Sequence, residues 1–143
     1  DREHINEKAE TLNGEFVNSD DVNSIKYEMF IFDGFEKHPL PAPDLILSNP
    51  PYIASRVVDG LPKLILDHEP RLALDGGEDG LDILRQIVLD GTQALRSKGR
   101  IFFEMGDEQG LAMQRILERA GYSDAVIAKD YAGHDRYAEG SLL

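Results

Sequence analysis

Four consecutive residues in the first half of the chain combine a polar amide, two prolines and an aromatic ring. They read Asn-Pro-Pro-Tyr, residues 49–52, and directly follow the apolar run Asp44–Ser48. A residue before proline is pushed into an extended backbone, and each proline fixes its own φ and lacks an N–H donor. The segment therefore presents carbonyl oxygens on a stiff frame, and the side-chain oxygen of Asn49 adds another acceptor.

Two acceptors on a rigid frame suit a substrate –NH₂ group, which has two hydrogens to donate. Amide and aniline-like nitrogens are poor nucleophiles because their lone pair is delocalised. Accepting both hydrogens orients the nitrogen and stabilises the positive charge that grows as it attacks an electrophile. Tyr52 adds a flat face on which a planar group can stack. The same letters also fit a rigid strand-to-loop corner in which Asn49 makes an Asx-turn, so both interpretations stay open.

The elements around this motif alternate between strands and helices. A continuous apolar run such as Asp44–Ser48 predicts a strand that is buried on both faces. The alternation predicts a mostly parallel α/β sheet, which binds ligands beyond the carboxyl ends of its strands. Gly99 and Gly121 are predicted to follow the last turns of two helices. The other predicted strands are Tyr27–Phe32, Arg100–Met105, Asp124–Asp130 and Asp135–Leu143, and the predicted helices are Asp1–Leu12, Glu78–Leu95 and Asp107–Gly121.

The composition narrows the class of protein. With 143 residues the chain is one domain's worth, and its net charge is −12. Nucleic-acid binders neutralise phosphates with Lys and Arg, so this charge favours a protein or small-molecule substrate. No apolar run has the length of a membrane span. The absence of cysteine excludes disulfides and thiolate metal sites and fits a reducing cytoplasm.

The Asn-Pro-Pro-Tyr motif resembles the hallmark of class I S-adenosylmethionine-dependent methyltransferases that modify planar amino groups. These include adenine-N6 enzymes and protein glutamine-N5 enzymes. The stretch "EPRLALDGGEDGLDIL", residues 69–84, is similar to the block that follows this motif in the glutamine-N5 methyltransferases of class 1 peptide chain release factors. "FFEMGDEQG" resembles the Glu-x-Gly-x-x-Gln-Gly turn of that family, and "KDYAGHDRY" resembles its Lys-Asp-x-x-Gly-x-x-Arg ending.

The resemblance implies a Rossmann-like class I methyltransferase sheet, mostly parallel with an antiparallel last strand. It implies methyl transfer from S-adenosylmethionine to the glutamine amide nitrogen in the Gly-Gly-Gln motif of a release factor. Asn49 and the Pro50 carbonyl would accept the amide hydrogens. Pro51 would keep the loop stiff, and Tyr52 would pack on the planar amide. No metal, nucleic acid or membrane is implied as a partner, and the location implied is cytoplasmic.

The cofactor set implied by the resemblance is Asp1, Asp33, Gly34 and Asn49. Asp1, with Asn13 a dozen positions later, has the spacing of the acid that binds the ribose hydroxyls. Asp33 and Gly34 fall where relatives contact the adenine, although Gly34 offers no stacking surface.

The family's glycine-rich cofactor loop has no counterpart in the chain. The stretch "DGGEDG" follows the Asn-Pro-Pro-Tyr motif, which is the wrong order, and is acidic. We therefore expect residues 1–143 to be a partial catalytic domain that begins after the first strand, the glycine loop and an N-terminal helical domain. Two alternative functions remain, an adenine-N6 methyltransferase and a catalytically inactive fragment or interaction module.

Other polar residues are expected to have structural roles. Glu104 ends a predicted strand and is expected to tie down neighbouring backbone. Gln109 and Gly110 are expected to enter a helix. A further acidic group has no calcium-loop spacing and suits a helix N-terminus, where the dipole favours negative charge; its members are Asp75, Glu78, Asp79 and Asp82.

Overall fold

The computed structural model describes the backbones of residues 12–16 and 25–29 and all of residues 42–143. The chain divides into two compact units, Asp1–Lys37 and His38–Leu143. In the first unit, strands β1 (Leu12–Phe16) and β2 (Ile25–Met29) form an antiparallel pair.

Two predictions fall largely on the first unit. The predicted strand Tyr27–Phe32 overlaps β2 over Tyr27–Met29, and its last three residues lie outside the described part of the chain. The predicted helix Asp1–Leu12 also lies outside it, except for Leu12, which begins strand β1. The sequence did not predict β1.

The second unit is built on a four-stranded mixed sheet. The strand order is β3-β4-β6-β5, with β3 and β4 parallel and β6 antiparallel to both of its neighbours. The antiparallel last strand is therefore confirmed. Strands β3, β4 and β5 run in the same direction, as expected of a mostly parallel sheet, although β6 inserts between β4 and β5 and leaves one parallel pair. The strands are β3 (Leu45–Ser48), β4 (Arg100–Glu104), β5 (Tyr122–Lys129) and β6 (Asp135–Leu142).

Two longer helices follow β3 and β4, and shorter helical segments lie before them. Each of the two longer helices buries an apolar stripe: Leu84 and Val88 are fully buried on the first helix, and Met113 and Leu117 on the second. These spacings of four residues place side chains on one helical face. The helices are α1 (Ser55–Val58), α2 (Lys63–His68), a 3-10 turn (Arg71–Ala73), α3 (Asp82–Ala94) and α4 (Gly110–Arg119).

The two predicted glycine caps have different outcomes. Gly121 follows α4 with a φ of 92°, as a C′ glycine should. The prediction for Gly99 is wrong, because α3 ends at Ala94 and Leu95 is already extended. The left-handed residue near this helix end is Lys98, with a φ of 62°.

The core lies between the two longer helices and one face of the sheet. On β4, Ile101 and Phe103 are fully buried in strand alternation. On β3 only Ile46 is buried, while Leu45 and Leu47 are 46% and 68% exposed. The prediction that β3 is buried on both faces is therefore wrong. No helix in the described ranges is long and apolar enough to cross a membrane.

Candidate active site

The Asn-Pro-Pro-Tyr motif leaves the carboxyl end of β3, as the sequence predicted. Because β3 is parallel to β4, with Ser48 opposite Phe103, the motif starts beside the carboxyl end of β4 as well. Asn49 is exposed, Pro50 is buried, and the next two residues are half-buried. The amide of Asn49 is therefore accessible, while the backbone that carries it continues into a buried residue, Pro50.

The structure weakens the alternative in which Asn49 only makes an Asx-turn. That turn needs an N–H two residues further on, and the residue there is Pro51, which has none. Within residues 42–143, no group hydrogen-bonds to the side chain of Asn49. Its amide is thus not engaged in a local turn.

Backbone hydrogen bonds join the end of the motif to the stretch Leu74–Asp82, called here the glycine turn. Ile53 N donates to Leu74 O at 3.0 Å, and Gly76 N donates to Ile53 O at 2.8 Å. Ser55 N donates to Gly77 O at 2.8 Å. The two bonds of Ile53 form a parallel bridge between Ile53 and Asp75, which holds the chain just beyond Tyr52.

Two glycines allow the glycine turn to lie directly against the motif. A Cβ on Gly76 would stand 2.8 Å from both Pro51 O and Tyr52 Cα. Gly80 has a φ of 78°, and a Cβ there would collide with Tyr52 O. The glycine turn therefore packs against the backbone of the motif, whose atoms fill the space beside Gly76 and Gly80.

Asp75 ties the side chains of this turn together. Its Oδ1 accepts hydrogen bonds from Ser55 Oγ at 2.6 Å and Gly77 N at 3.0 Å. The bond from Ser55, followed by that from Gly77, holds the pKa of the Asp75 carboxyl below its usual value. Arg71 bonds Asp75 on the other side and also reaches Asp59 at 2.6 Å. Asp75 thus keeps the glycine turn closed.

The ring of Tyr52 is held by a carboxylate. Its hydroxyl donates to Glu104 Oε1 at 2.7 Å. Burial raises the pKa of Tyr52, and the hydrogen bond to Glu104 adds to the rise. Glu104 was expected to hold neighbouring backbone. It instead holds the side chain of Tyr52, through the hydroxyl group.

An open depression of about 340 Å³ lies along the ends of β3 and β4. On its floor the rings of Phe102 and Tyr137 stack with centroids 5.5 Å apart. The amide of Asn49 and the carboxylate of Glu104 lie at its polar end. A planar group here would meet an apolar floor beside hydrogen-bond acceptors. The lining residues are Leu47, Ser48, Asn49, Phe102, Glu104 and Tyr137.

Of the predicted cofactor residues, the structure describes only Asn49. Asp1, Asp33 and Gly34 lie outside the described residues. Asn49 fits a cofactor contact because its exposed side chain borders the depression at the end of β3. Among the described side chains, no cluster of three or more His, Asp and Glu could hold a metal ion.

Sequence reasoning missed the main contact of Gln109. The residue occupies the N-cap position of α4 without a capping bond from its side chain, and Gly110 begins the helix, so both enter it as expected. However, Gln109 Nε2 also donates to Tyr52 O at 2.9 Å and to Gly80 O at 3.2 Å. Its Oε1 accepts from Gly106 N at 2.9 Å. One signal was available, because a long glutamine is not among the preferred N-cap residues.

Three curated relatives of this chain share one name. The release factor glutamine methyltransferase of Caulobacter vibrioides is 40% identical over 97 residues, which is 68% of this chain and 34% of the relative. That of Geobacter sulfurreducens is 39% identical over 99 residues, 69% of this chain and 35% of the relative. The resemblance to the release factor glutamine methyltransferases is confirmed.

A third relative extends the match. The release factor glutamine methyltransferase of Thermodesulfovibrio yellowstonii is 36% identical over 116 residues, which is 80% of this chain and 42% of the relative. The chain spans about a third of the length of the first two relatives. No family model matches the chain. In this relative of the release factor glutamine methyltransferases, the block at residues 69–84 contributes the glycine turn that supports the motif.

Proposed function

We propose that the protein containing this chain methylates the glutamine of the Gly-Gly-Gln motif in class 1 peptide chain release factors. The methyl donor is S-adenosylmethionine, and the acceptor atom is the side-chain amide nitrogen. Support comes from the names of the relatives, which are release factor glutamine methyltransferases. It also comes from the acceptor geometry of the Asn-Pro-Pro-Tyr motif.

One observation carries the proposal: an outward-facing amide stands on a backbone that is rigid and supported from behind. Asn49 is exposed while Pro50 is buried, and neither Pro50 nor Pro51 has an N–H to compete for the acceptors. The side-chain oxygen of Asn49 and the carbonyl of Pro50 each accept one amide hydrogen of the substrate. Tyr52, fixed by Glu104, packs on the planar amide.

The two acceptors act on the nitrogen as its charge changes. The amide nitrogen forms a bond to the methyl carbon while the carbon–sulfur bond breaks, and the excess proton leaves to water. Positive charge grows on the nitrogen during this step, so acceptors that are already in place stabilise the transition state more than the ground state. No covalent enzyme intermediate is needed.

S-adenosylmethionine would supply a methyl group activated on a sulfonium sulfur. Asn49 would border it, since the same side chain lies at the edge of the depression at the end of β3. Contacts of Asp1 with the ribose and of Asp33 and Gly34 with the adenine remain a proposal from the resemblance alone.

Charge favours a protein substrate over nucleic acid. The chain carries a net charge of −12, which opposes a polyphosphate backbone. The experiment should separate the proposed function from two competing functions, an adenine-N6 activity and an inactive interaction module.

The test follows methyl groups from labelled S-adenosylmethionine. The full-length gene product is incubated with a class 1 release factor and, in parallel, with an adenine-containing DNA duplex. Peptide mass mapping then locates the label. A release factor whose Gly-Gly-Gln glutamine is replaced by glutamate serves as the matched control.

The expected result is one methyl group on the Gly-Gly-Gln peptide and none on the control. Methylated adenine without methylated peptide would overturn the proposal in favour of the nucleic-acid enzyme. No cofactor binding by calorimetry, together with no transfer to either substrate, would overturn it in favour of an interaction module.

A further inference from the structure

One side chain connects three separate backbone segments around the motif. Gln109 lies at the start of α4 and is half-buried. Its Nε2 donates to Tyr52 O at 2.9 Å and to Gly80 O at 3.2 Å, and its Oε1 accepts from Gly106 N at 2.9 Å. These three partners belong to the motif, the glycine turn and the segment that leaves β4.

A carboxamide is suited to this set of partners. It offers two N–H donors for the two carbonyls and an oxygen for the one N–H. A glutamate of the same length would set a second oxygen against the carbonyls of Tyr52 and Gly80. An asparagine is shorter by one methylene and could not span the same three groups from the same backbone.

The position of Tyr52 O bears on the acceptors because the chain between them is stiff. Tyr52 is two residues beyond Pro50, and both prolines fix their own φ. The fixed φ of Pro51 removes one of the rotations between the two carbonyls, so part of a backbone movement at Tyr52 is passed on to the Pro50 carbonyl. The Gly80 carbonyl couples the same amide to the glycine turn, which holds Ile53.

We propose that Gln109 is a positioning residue for methyl transfer, which sets the location of the Pro50 carbonyl through Tyr52. This inference rests on the proposed function, because it assigns the Pro50 carbonyl to the substrate amide. Gln109 itself does not touch the reacting atoms. Its loss should slow the chemical step more than it weakens substrate binding, because misplaced acceptors cost most when charge develops on the nitrogen.

The kinetic test compares two isosteric substitutions, one at the N-cap position of α4 and one within this helix. Gln109→Glu removes the donors to Tyr52 and Gly80. Gln114→Glu is the matched control, because Gln114 lies on α4 and, among the described residues, its amide bonds only Glu118, at 3.2 Å within the same helix. For Gln109→Glu, kcat for the release factor should fall by about 10- to 100-fold while KM changes by less than about threefold. The control should match the wild type.

A second measurement does not depend on the reaction. Hydrogen exchange is followed at the amides of Ile53, Ser55 and Gly76, which bridge the motif and the glycine turn. Exchange at these amides should be faster in Gln109→Glu than in the wild type and unchanged in Gln114→Glu. Gln109→Met, which keeps the length and loses every hydrogen bond, should behave like Gln109→Glu in both measurements.

The outcomes separate this inference from the proposed function. Unchanged exchange overturns the inference, as does faster exchange with a kcat equal to that of the control. A loss of rate that only matches a loss of folded protein in urea also overturns it, because it indicates a structural role alone. A wild-type protein that leaves the Gly-Gly-Gln glutamine unmethylated overturns the proposed function instead.

Discussion

Adding one methyl group at Gly80 should disturb the motif more than the same change at another left-handed glycine. Gly80 has a φ of 78°, and an added Cβ would collide with Tyr52 O and stand 2.8 Å from Gln109 Nε2. Gly133 has a φ of 87°, and no atom lies within 4 Å of its added Cβ. Gly133→Ala therefore contributes backbone strain without a clash, and Gly80→Ala contributes both.

The two substitutions can be compared in free energy. An alanine in the left-handed region costs about 1–2 kcal/mol, and the reduced entropy of the unfolded chain offsets about 0.4–1 kcal/mol of this. Gly133→Ala should thus lower the free energy of unfolding by about 1 kcal/mol. Overpacking against Tyr52 adds about 1–3 kcal/mol, so Gly80→Ala should cost about 2–4 kcal/mol.

Urea unfolding followed by circular dichroism measures both values in the full-length gene product. Methyl transfer to the release factor is then measured on the folded protein. Gly80→Ala should slow transfer because it displaces the motif, whereas Gly133→Ala should leave the rate unchanged. If the two variants are equally stable and equally active, the close contact between the glycine turn and Tyr52 does not support the site.

Two further predictions concern pH. Hydrogen bonds from Ser55 and Gly77 lower the pKa of Asp75, so its stabilisation is present above the usual pKa of 3.8 and is lost as pH falls through the lower folded pKa. The urea midpoint of the wild type should therefore exceed that of Asp75→Asn at neutral pH. If this difference in midpoint persists at a pH below the folded pKa of Asp75, the prediction is contradicted. Burial raises the pKa of Tyr122 from 10.0 to about 12. The unfolded state deprotonates first, so stability should fall by about 1.4 kcal/mol per pH unit between these values. Tyr122→Phe should flatten this alkaline slope, and an equally steep slope would refute the assignment.

Elements with a strong local pattern could be predicted from the sequence. The stripes of α3 and α4 follow from the spacing of Leu84 with Val88 and of Met113 with Leu117, which depends only on helix geometry. Likewise, β3 follows from a short apolar run before proline. The exposure of Leu47 could not be predicted, because an apolar run shows a preference for strand but not what packs on each face.

The position of Asn49 could be predicted from the sequence, whereas the residues that support the motif could not. Asn49 lies at a strand end, as the prolines and the apolar run indicated. The bonds of Tyr52 to Glu104 and Gln109 join residues more than 50 positions apart. No local sequence pattern encodes contacts between residues so far apart. From the sequence, Glu104 and Gln109 could therefore be assigned only to a strand end and a helix start.

The most direct test of the account is the turnover of Asn49→Ala. The Asn49 side chain is exposed, so its removal should leave the urea unfolding curve unchanged. Methyl transfer to the Gly-Gly-Gln glutamine should fall by about 10²- to 10³-fold, as expected when one preorganised partner of a developing charge is lost. A variant that folds normally and keeps more than about half of the wild-type kcat would contradict the assignment of Asn49 as an acceptor for the substrate amide.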